Sequence, residues 1–327
     1  MIAYSARMSL ALVTFALVLL GQNDVKAAEA KKTHVANSAT AFRQLWLVST
    51  RYASSGHPTL AESSRLAYWR CDPDHAWRQS NLEQLLLTDD PFVRTIVYVH
   101  DNRVSRNDSF RRAWSVFNRL SCAVPADQPF RLIAISWPSE RIGIRQRPDV
   151  QIKAERSETH AFYLAWLLDQ IHPDVPLSLY GMSYGPRMIT AALHHLGGGA
   201  ICGRSLPYRV NPKRRPVRVV LMAAGLDEHW LYPGQRHGLA LSQVEHMLIV
   251  YNTRDSALRW YPRLYGRRGP EALGYVGITC EPRLSNYQPL VSEWNVTNQV
   301  GREHSWRFYE GSPTMMPTIA VHLFSAK

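Results

Sequence analysis

Short apolar runs alternate along the chain with stretches in which apolar residues return every three or four positions. Thr95–Val99, Leu132–Ser136, Leu177–Tyr180, Val217–Ala224 and Met247–Tyr251 are the clearest runs. Each is mostly apolar at consecutive positions, the pattern of a strand covered on both faces. Gln44–Thr50 reads as a first strand, Leu66–Arg70 as a second and Glu293–Thr297 as the last. Between them, Asp108 is expected to cap a helix with Phe110, Trp114, Phe117 and Leu120 on one face. Leu164, Leu167, Leu168 and Ile171 stripe another helix. Met188, Ile189, Ala192, Leu193 and Leu196 stripe a third, which Gly197-Gly198-Gly199 ends.

Strands alternating with helices predict the α/β class: a mostly parallel central sheet with helices on both faces. There is no internal repeat and no linker rich in Pro, Gly or Ser, so one domain is expected over residues 31–327. Arg204, Arg209, Lys213, Arg214 and Arg215 interrupt the alternation. They read as a basic insertion or lid near 200–216, or as a solvated basic loop.

The first thirty residues read as a signal peptide. Arg7 precedes the apolar run Met8–Gly21, and Ala28-Glu29-Ala30 is the small-x-small pattern of signal peptidase. Cleavage after Ala30, with Ala27 as the near alternative, predicts a secreted or periplasmic protein. The run is short of the roughly 20 residues of a membrane span, so no stable span is expected, with an uncleaved anchor as the competing reading. Export changes how Cys71, Cys122, Cys202 and Cys280 are read: an even number predicts two disulfides of open connectivity, against four free thiols.

Hydrophobic residues at 46% and charged residues at 20% exclude collagen-like, coiled-coil and wholly disordered chains. The net charge of +12 draws anions, including an acidic ester, an anionic polymer or a lipid surface. Export argues against nucleic acid as the partner. The oligomeric state is open.

The chemistry is carried by Gly181-Met182-Ser183-Tyr184-Gly185, which lies directly between a strand and a helix. Gly-x-Ser-x-Gly in that context is a nucleophile elbow. Its serine sits at a sharp turn, where neighbouring elements leave no room for side chains two positions either side. The serine then projects at a helix N-terminus, which favours an oxyanion. A nucleophilic serine needs a base, and the base needs an orienting acid. His304 lies just after the last expected strand, whereas His322 lies in an apolar stretch and reads as packed. Asp255, after Met247–Tyr251, is the favoured acid; Asp227, after the preceding strand, is its rival. Either could instead cap a helix, and for Asp255 both roles are compatible. The oxyanion is expected to meet the backbone N–H of Tyr184 and that of Asp101 or Asn102, with the Asp101 side chain turned away or paired with Arg103. His194 and His195 are adjacent and cannot share a helix face, so no metal is expected there; nor is a cofactor.

Together the elbow, the His-Asp-Asn loop, the later Asp and the final His resemble the α/β-hydrolase superfamily. Trp46–Arg51, Tyr98-Val99-His100 and Ser136-Trp137-Pro138-Ser139 are similar to a little-characterised, bacterial, exported branch of it. The resemblance implies Ser183 as nucleophile, His304 as base and an Asp as orienter, and implies no substrate. Asp101 at a usual glycine and Tyr184 after the serine depart from the pattern. The expected activity is that of a serine hydrolase cleaving an ester, or an amide, in a small-molecule or lipid-like substrate. The competing class is a non-catalytic binding protein on the same fold.

Overall fold

Residues along each central strand feed two different cores in alternation. In β4 (Arg94–Val99), Val97 and Val99 face one core while Ile96 and Tyr98 face the other. The same split runs through β5 (Phe130–Ser136), β6 (Leu177–Met182), β7 (Val217–Met222) and β8 (Val244–Tyr251). This double burial explains why these strands are apolar at nearly every position rather than at every second one.

A computed structural model of the chain describes residues 43–325, apart from 144, 209, 211–213, 265, 267 and 268. The expected signal peptide, the entry segment to residue 42, and Arg209 and Lys213 of the basic stretch lie outside the described residues. Residues 43–126 and 130–325 fall in one unit; 1–42 and 127–129 form another, of which only 127–129 are described.

Among the described residues, nine strands form one sheet in the order β3-β2-β1-β5-β4-β6-β7-β8-β9. β1 (Arg43–Ser49) and β4 to β9 (Val291–Asn295) are mutually parallel. β2 (Ala67–Cys71) and β3 (Trp77–Ser80) close one edge by antiparallel pairing. Helices α2 (Gln146–Gln170) and α3 (Tyr184–Leu196) cover one face. Helices α1 (Arg106–Ala123) and α5 (Met315–Phe324) cover the other, with the short α4 (Trp306–Glu310) before α5. This is the α/β architecture expected from the sequence: a mostly parallel central sheet with helices on both faces. From β4 the chain crosses to β5 on one side, and from β5 it returns past β4 to β6 on the other, so the strand order reverses there and leaves a crevice at the carboxyl ends of β4 and β6.

Three details differ from the sequence reading. The cap of α1 is Ser105, whose hydroxyl accepts the Asp108 N–H at 3.1 Å and donates to the Asp108 carboxylate at 2.6 Å. Asp108 thus receives the cap at the third helical position rather than providing it. The edge strand β3 went unread because Trp77-Arg78-Gln79-Ser80 is polar on an exposed edge. The two expected disulfides are absent: Cys71, Cys122, Cys202 and Cys280 are all free thiols. They lie on separate pieces of chain, in β2, late in α1, in the loop after α3 and ahead of Glu281, and no pair comes within bridging distance. Among the described residues no helix is long and apolar enough to cross a membrane.

Alkylation under denaturing, non-reducing conditions is therefore expected to modify all four cysteines; a mass showing fewer than four adducts counts against the free-thiol arrangement.

Candidate active site

Ser183 has φ 58° and ψ −107°, a backbone conformation that side chains other than glycine seldom adopt. Its N–H donates to Met222 O at 3.0 Å and its carbonyl accepts from Gly225 N at 2.8 Å, so β7 holds the turn from both sides. The flanking glycines are demanded by space. A Cβ on Gly185 would lie 2.2 Å from Val99 O, and one on Gly181 would lie 2.7 Å from Ile189 Cδ1 and 2.9 Å from Gly185 C. The helix can begin immediately after the strand only because both positions lack a side chain.

His304 arrives on the loop between β9 and α4. Its Nε2 is 3.0 Å from Ser183 Oγ and its Nδ1 is 2.7 Å from Asp255 Oδ2. Asp255 is wholly buried and divides its oxygens. Oδ1 accepts the N–H groups of Ala257 at 3.0 Å and Leu258 at 2.9 Å, capping the turn of 3₁₀ helix Leu258–Leu264. Oδ2 meets His304 and also accepts from Tyr309 Oη at 3.2 Å. Asn252 ties the arriving loop down by donating to Gly301 O at 2.9 Å. Asp227 is spent elsewhere: its Oδ1 accepts from Tyr261 Oη at 2.6 Å. Tyr309 had no sequence signal, since a tyrosine a turn beyond a loop histidine carries no motif.

A neutral His304 must carry its proton on Nδ1, because the Asp255 carboxylate can only accept, and Nε2 is then the acceptor of the Ser183 hydroxyl proton. Partial burial is the largest influence on its pKa and works to lower it. The hydrogen bond and charge of Asp255, with the charge of Asp101, outweigh burial and leave the pKa raised above its ordinary value.

The loop after β4 is built from the sequence motifs that drew attention earlier. His100 Nδ1 donates to Asp101 O at 2.8 Å, its Nε2 accepts from Trp137 N at 3.3 Å, and its carbonyl accepts from Trp137 Nε1 at 2.9 Å. Burial holds its pKa down at about 3, so the ring stays neutral. Ser139 Oγ accepts from Val104 N and donates to Val104 O, both at 3.1 Å, while Ser139 O accepts from Arg103 N at 2.8 Å. Arg51 donates to Ser136 Oγ at 2.7 Å and to Val104 O at 3.0 Å, and pairs with Glu140. The Thr-Arg and Trp-Pro-Ser segments are thus a clamp on residues 100–104. Within the described residues the Asn102 N–H has no acceptor, and the Asp101 N–H bonds to its own carboxylate. The Tyr184 N–H is the first of α3, directly after the serine.

The Asp101 side chain, expected either to turn away or to pair with Arg103, pairs with Arg112. It lies 3.4 Å from Arg112, whose guanidinium also approaches Glu310 at 3.7 Å, donates to Tyr98 Oη at 2.9 Å and stacks 3.6 Å over Trp306. Burial raises the Asp101 pKa against the pull of Arg112. Tyr180 Oη donates to Glu310 at 3.0 Å. This buried group of charges anchors α4, and with it the loop that delivers His304. Arg103 turns instead toward Asp149, at 3.9 Å.

A cleft of about 810 Å³ opens over Ser183 and His304. Val150, Leu258, Trp260, Tyr261 and Leu264 give it an apolar and aromatic wall. A second cleft of about 550 Å³ shares Asp101, Asn102 and Arg103 with it and continues toward Trp306. Among the described residues no cluster of side chains suits a metal ion.

Histidine NMR titration is expected to place the His304 midpoint above the ordinary imidazole value of about 6.5. Asp101→Asn removes one charge that favours the imidazolium, so its midpoint falls; a midpoint unchanged or higher contradicts the electrostatics described above.

No protein-family model matches the chain, and no curated protein matches it in sequence. Among solved structures it is similar to acyl-protein thioesterase 2 of Zea mays, at 13% identity over 70% of this chain and 91% of that one, with a TM-score of 0.39. It is similar to esterase B from Lactobacillus rhamnosis in a structure with a tributyrin phosphonate, at 10% identity over 93% and 92%, with a TM-score of 0.38. It is also similar to an acetyl xylan esterase, at 12% identity over 70% and 98%, with a TM-score of 0.35.

Proposed function

We propose that the protein is an exported serine hydrolase that cleaves esters through an acyl-enzyme on Ser183. The reading rests on one observation: the hydrogen-bonded chain from Asp255 through His304 to Ser183, at 2.7 and 3.0 Å. Ser183 Oγ attacks the ester carbonyl carbon as its proton passes to His304 Nε2. The C=O electron pair becomes an oxyanion between the Tyr184 N–H and that of Asp101 or Asn102. Asp255 holds the Nδ1–H tautomer and stabilises the imidazolium. Collapse re-forms the carbonyl, breaks the C–O bond to the alcohol, and hands that alcohol the proton from His304. Water then repeats the sequence on the acyl-enzyme, its proton going to His304 and returning to Ser183 as the acid leaves. Only neutral imidazole can accept the first proton. The acid limb of kcat/KM should therefore follow the raised midpoint of His304: activity falls as pH drops through it.

A fluorophosphonate is expected to label Ser183, and Ser183→Ala to abolish both labelling and ester turnover. Asp255→Asn reverses the hydrogen bond to His304 and should lower turnover by ~10⁴. Asp227→Asn, which alters a bond to Tyr261 and none to His304, should keep most activity. Labelling that survives Ser183→Ala, or no labelling of the wild type, returns the chain to the class of binding proteins on this fold.

Export is supported by the apolar run Met8–Gly21 and the Ala28-Glu29-Ala30 site. N-terminal sequencing of protein expressed in a bacterium with a periplasm should give Lys31 as the first residue, or Ala28 after cleavage at the nearer site. An intact Met1 in the cytoplasmic fraction would sink this part of the reading.

A further inference from the structure

The charge lining the main cleft is unbalanced. Arg103, Arg147 and Arg263 line it, and Asp101 is the one acid among its described lining residues. Asp101 is already committed to Arg112. Arg103 has a distant carboxylate, Asp149, which lies within hydrogen-bond distance of Lys153 at 2.8 Å. No carboxylate lies within 4.0 Å of Arg147 or Arg263 among the described residues. The two are held near one another: Arg147 donates to Leu264 O at 3.3 Å, the residue after Arg263, and Gln151 donates to the same carbonyl at 2.6 Å. Arg263 is propped 3.8 Å over the Trp260 ring, a contact that fixes its direction without neutralising it. Trp260, Leu258 and Leu264 line the same cleft, together with Ser183. The second cleft repeats the pattern, with Arg103, Arg111, Arg112 and Arg307 against Asp101 and Asp108.

We propose that this site takes esters that carry a negatively charged group on an apolar body, with Arg147 and Arg263, seconded by Arg103, receiving the anion. The proposal rests on the hydrolase reading and names its substrate class. The apolar body packs on Trp260 and Leu258 while the carbonyl sits over Ser183. The anion then reaches guanidinium groups that can bind carboxylate or phosphate oxygens in a fork. Cations in a cleft with apolar walls also raise the local concentration of such esters, an effect that salt removes.

The test uses two matched pairs of esters with the mature protein. Mono-p-nitrophenyl glutarate against its methyl ester places the charge on the acyl side; 4-carboxyphenyl butyrate against its methyl ester places it on the alcohol side. At low salt, kcat/KM should favour the anionic member of at least one pair by about tenfold. That ratio should shrink toward one at ~0.5 M salt, where screening acts within a few ångströms. Arg263→Gln and Arg147→Gln should each lower the ratio, and Arg263→Glu should bring it below one. Arg215→Gln removes one charge from an exposed position outside both clefts and should leave the ratio as in the wild type. If fluorophosphonate labels Ser183 but neither pair shows a preference, the anion assignment is overturned alone. The same holds if Arg215→Gln lowers the ratio as much as the cleft variants do. If labelling and turnover of all four esters are absent, the hydrolase reading falls and this proposal with it.

Discussion

The φ of 58° at Ser183 is the constraint on which the rest of the site depends. A strand that turns into a helix within one residue must bring the helix against its neighbours at backbone distance. Here Gly185 approaches Val99 O so closely that any Cβ would collide. That contact joins the start of α3, directly after β6, to the end of β4, the strand whose loop carries Asp101 and Asn102. The strain at Ser183 is held by hydrogen bonds to Met222 and Gly225, so β7 belongs to the same assembly. Three parallel strands therefore fix where the serine oxygen and the neighbouring amides stand before any ligand arrives, which is the preorganisation that oxyanion stabilisation requires.

The site's second half is electrostatic. His304 comes from a loop with little regular structure, and its place is secured by buried partners rather than by backbone pairing. Asp255, which also accepts from Tyr309, holds it on one side. On the other, Arg112, Glu310, Tyr98 and Tyr180 fix the short helix that follows it, with the Arg112 guanidinium flat on Trp306. Charges this deeply buried are costly unless paired, so such a group resists rearrangement. Asp101 joins the two halves, being part of the loop after β4 and a partner of Arg112.

Much of this was legible in the sequence for identifiable reasons. Strands buried on both faces announce themselves as unbroken apolar runs, and the elbow is readable because steric crowding dictates glycine at 181 and 185. The meeting of Ser183, His304 and Asp255 follows from their order after successive strands. Other parts left no trace. β3 is polar because it lies on an exposed edge. The first half of α2 carries charged and polar residues that mask its helical period, and Arg147-Pro148 gives no apolar start. The cysteines were misread because an even count speaks of compartment, while bridging depends on a distance that no spacing encodes. The arginines of the cleft come from three separate segments, so their convergence exists only in three dimensions.

Asp255 gives one oxygen to His304 and the other to the amides of Ala257 and Leu258. The wall that would select a substrate and the residue that would activate the nucleophile are thus moored to a single carboxylate. This sets the routes by which such a protein could diversify. Exchanging side chains at 260, 263 or 264 alters what the cleft welcomes and leaves the mooring in place. Insertions or deletions between 255 and 258 would move those amides and loosen the imidazole with them. On the proposed reading, new specificities would be reachable by repainting this wall, while lengthening or shortening it at its root would disarm the serine.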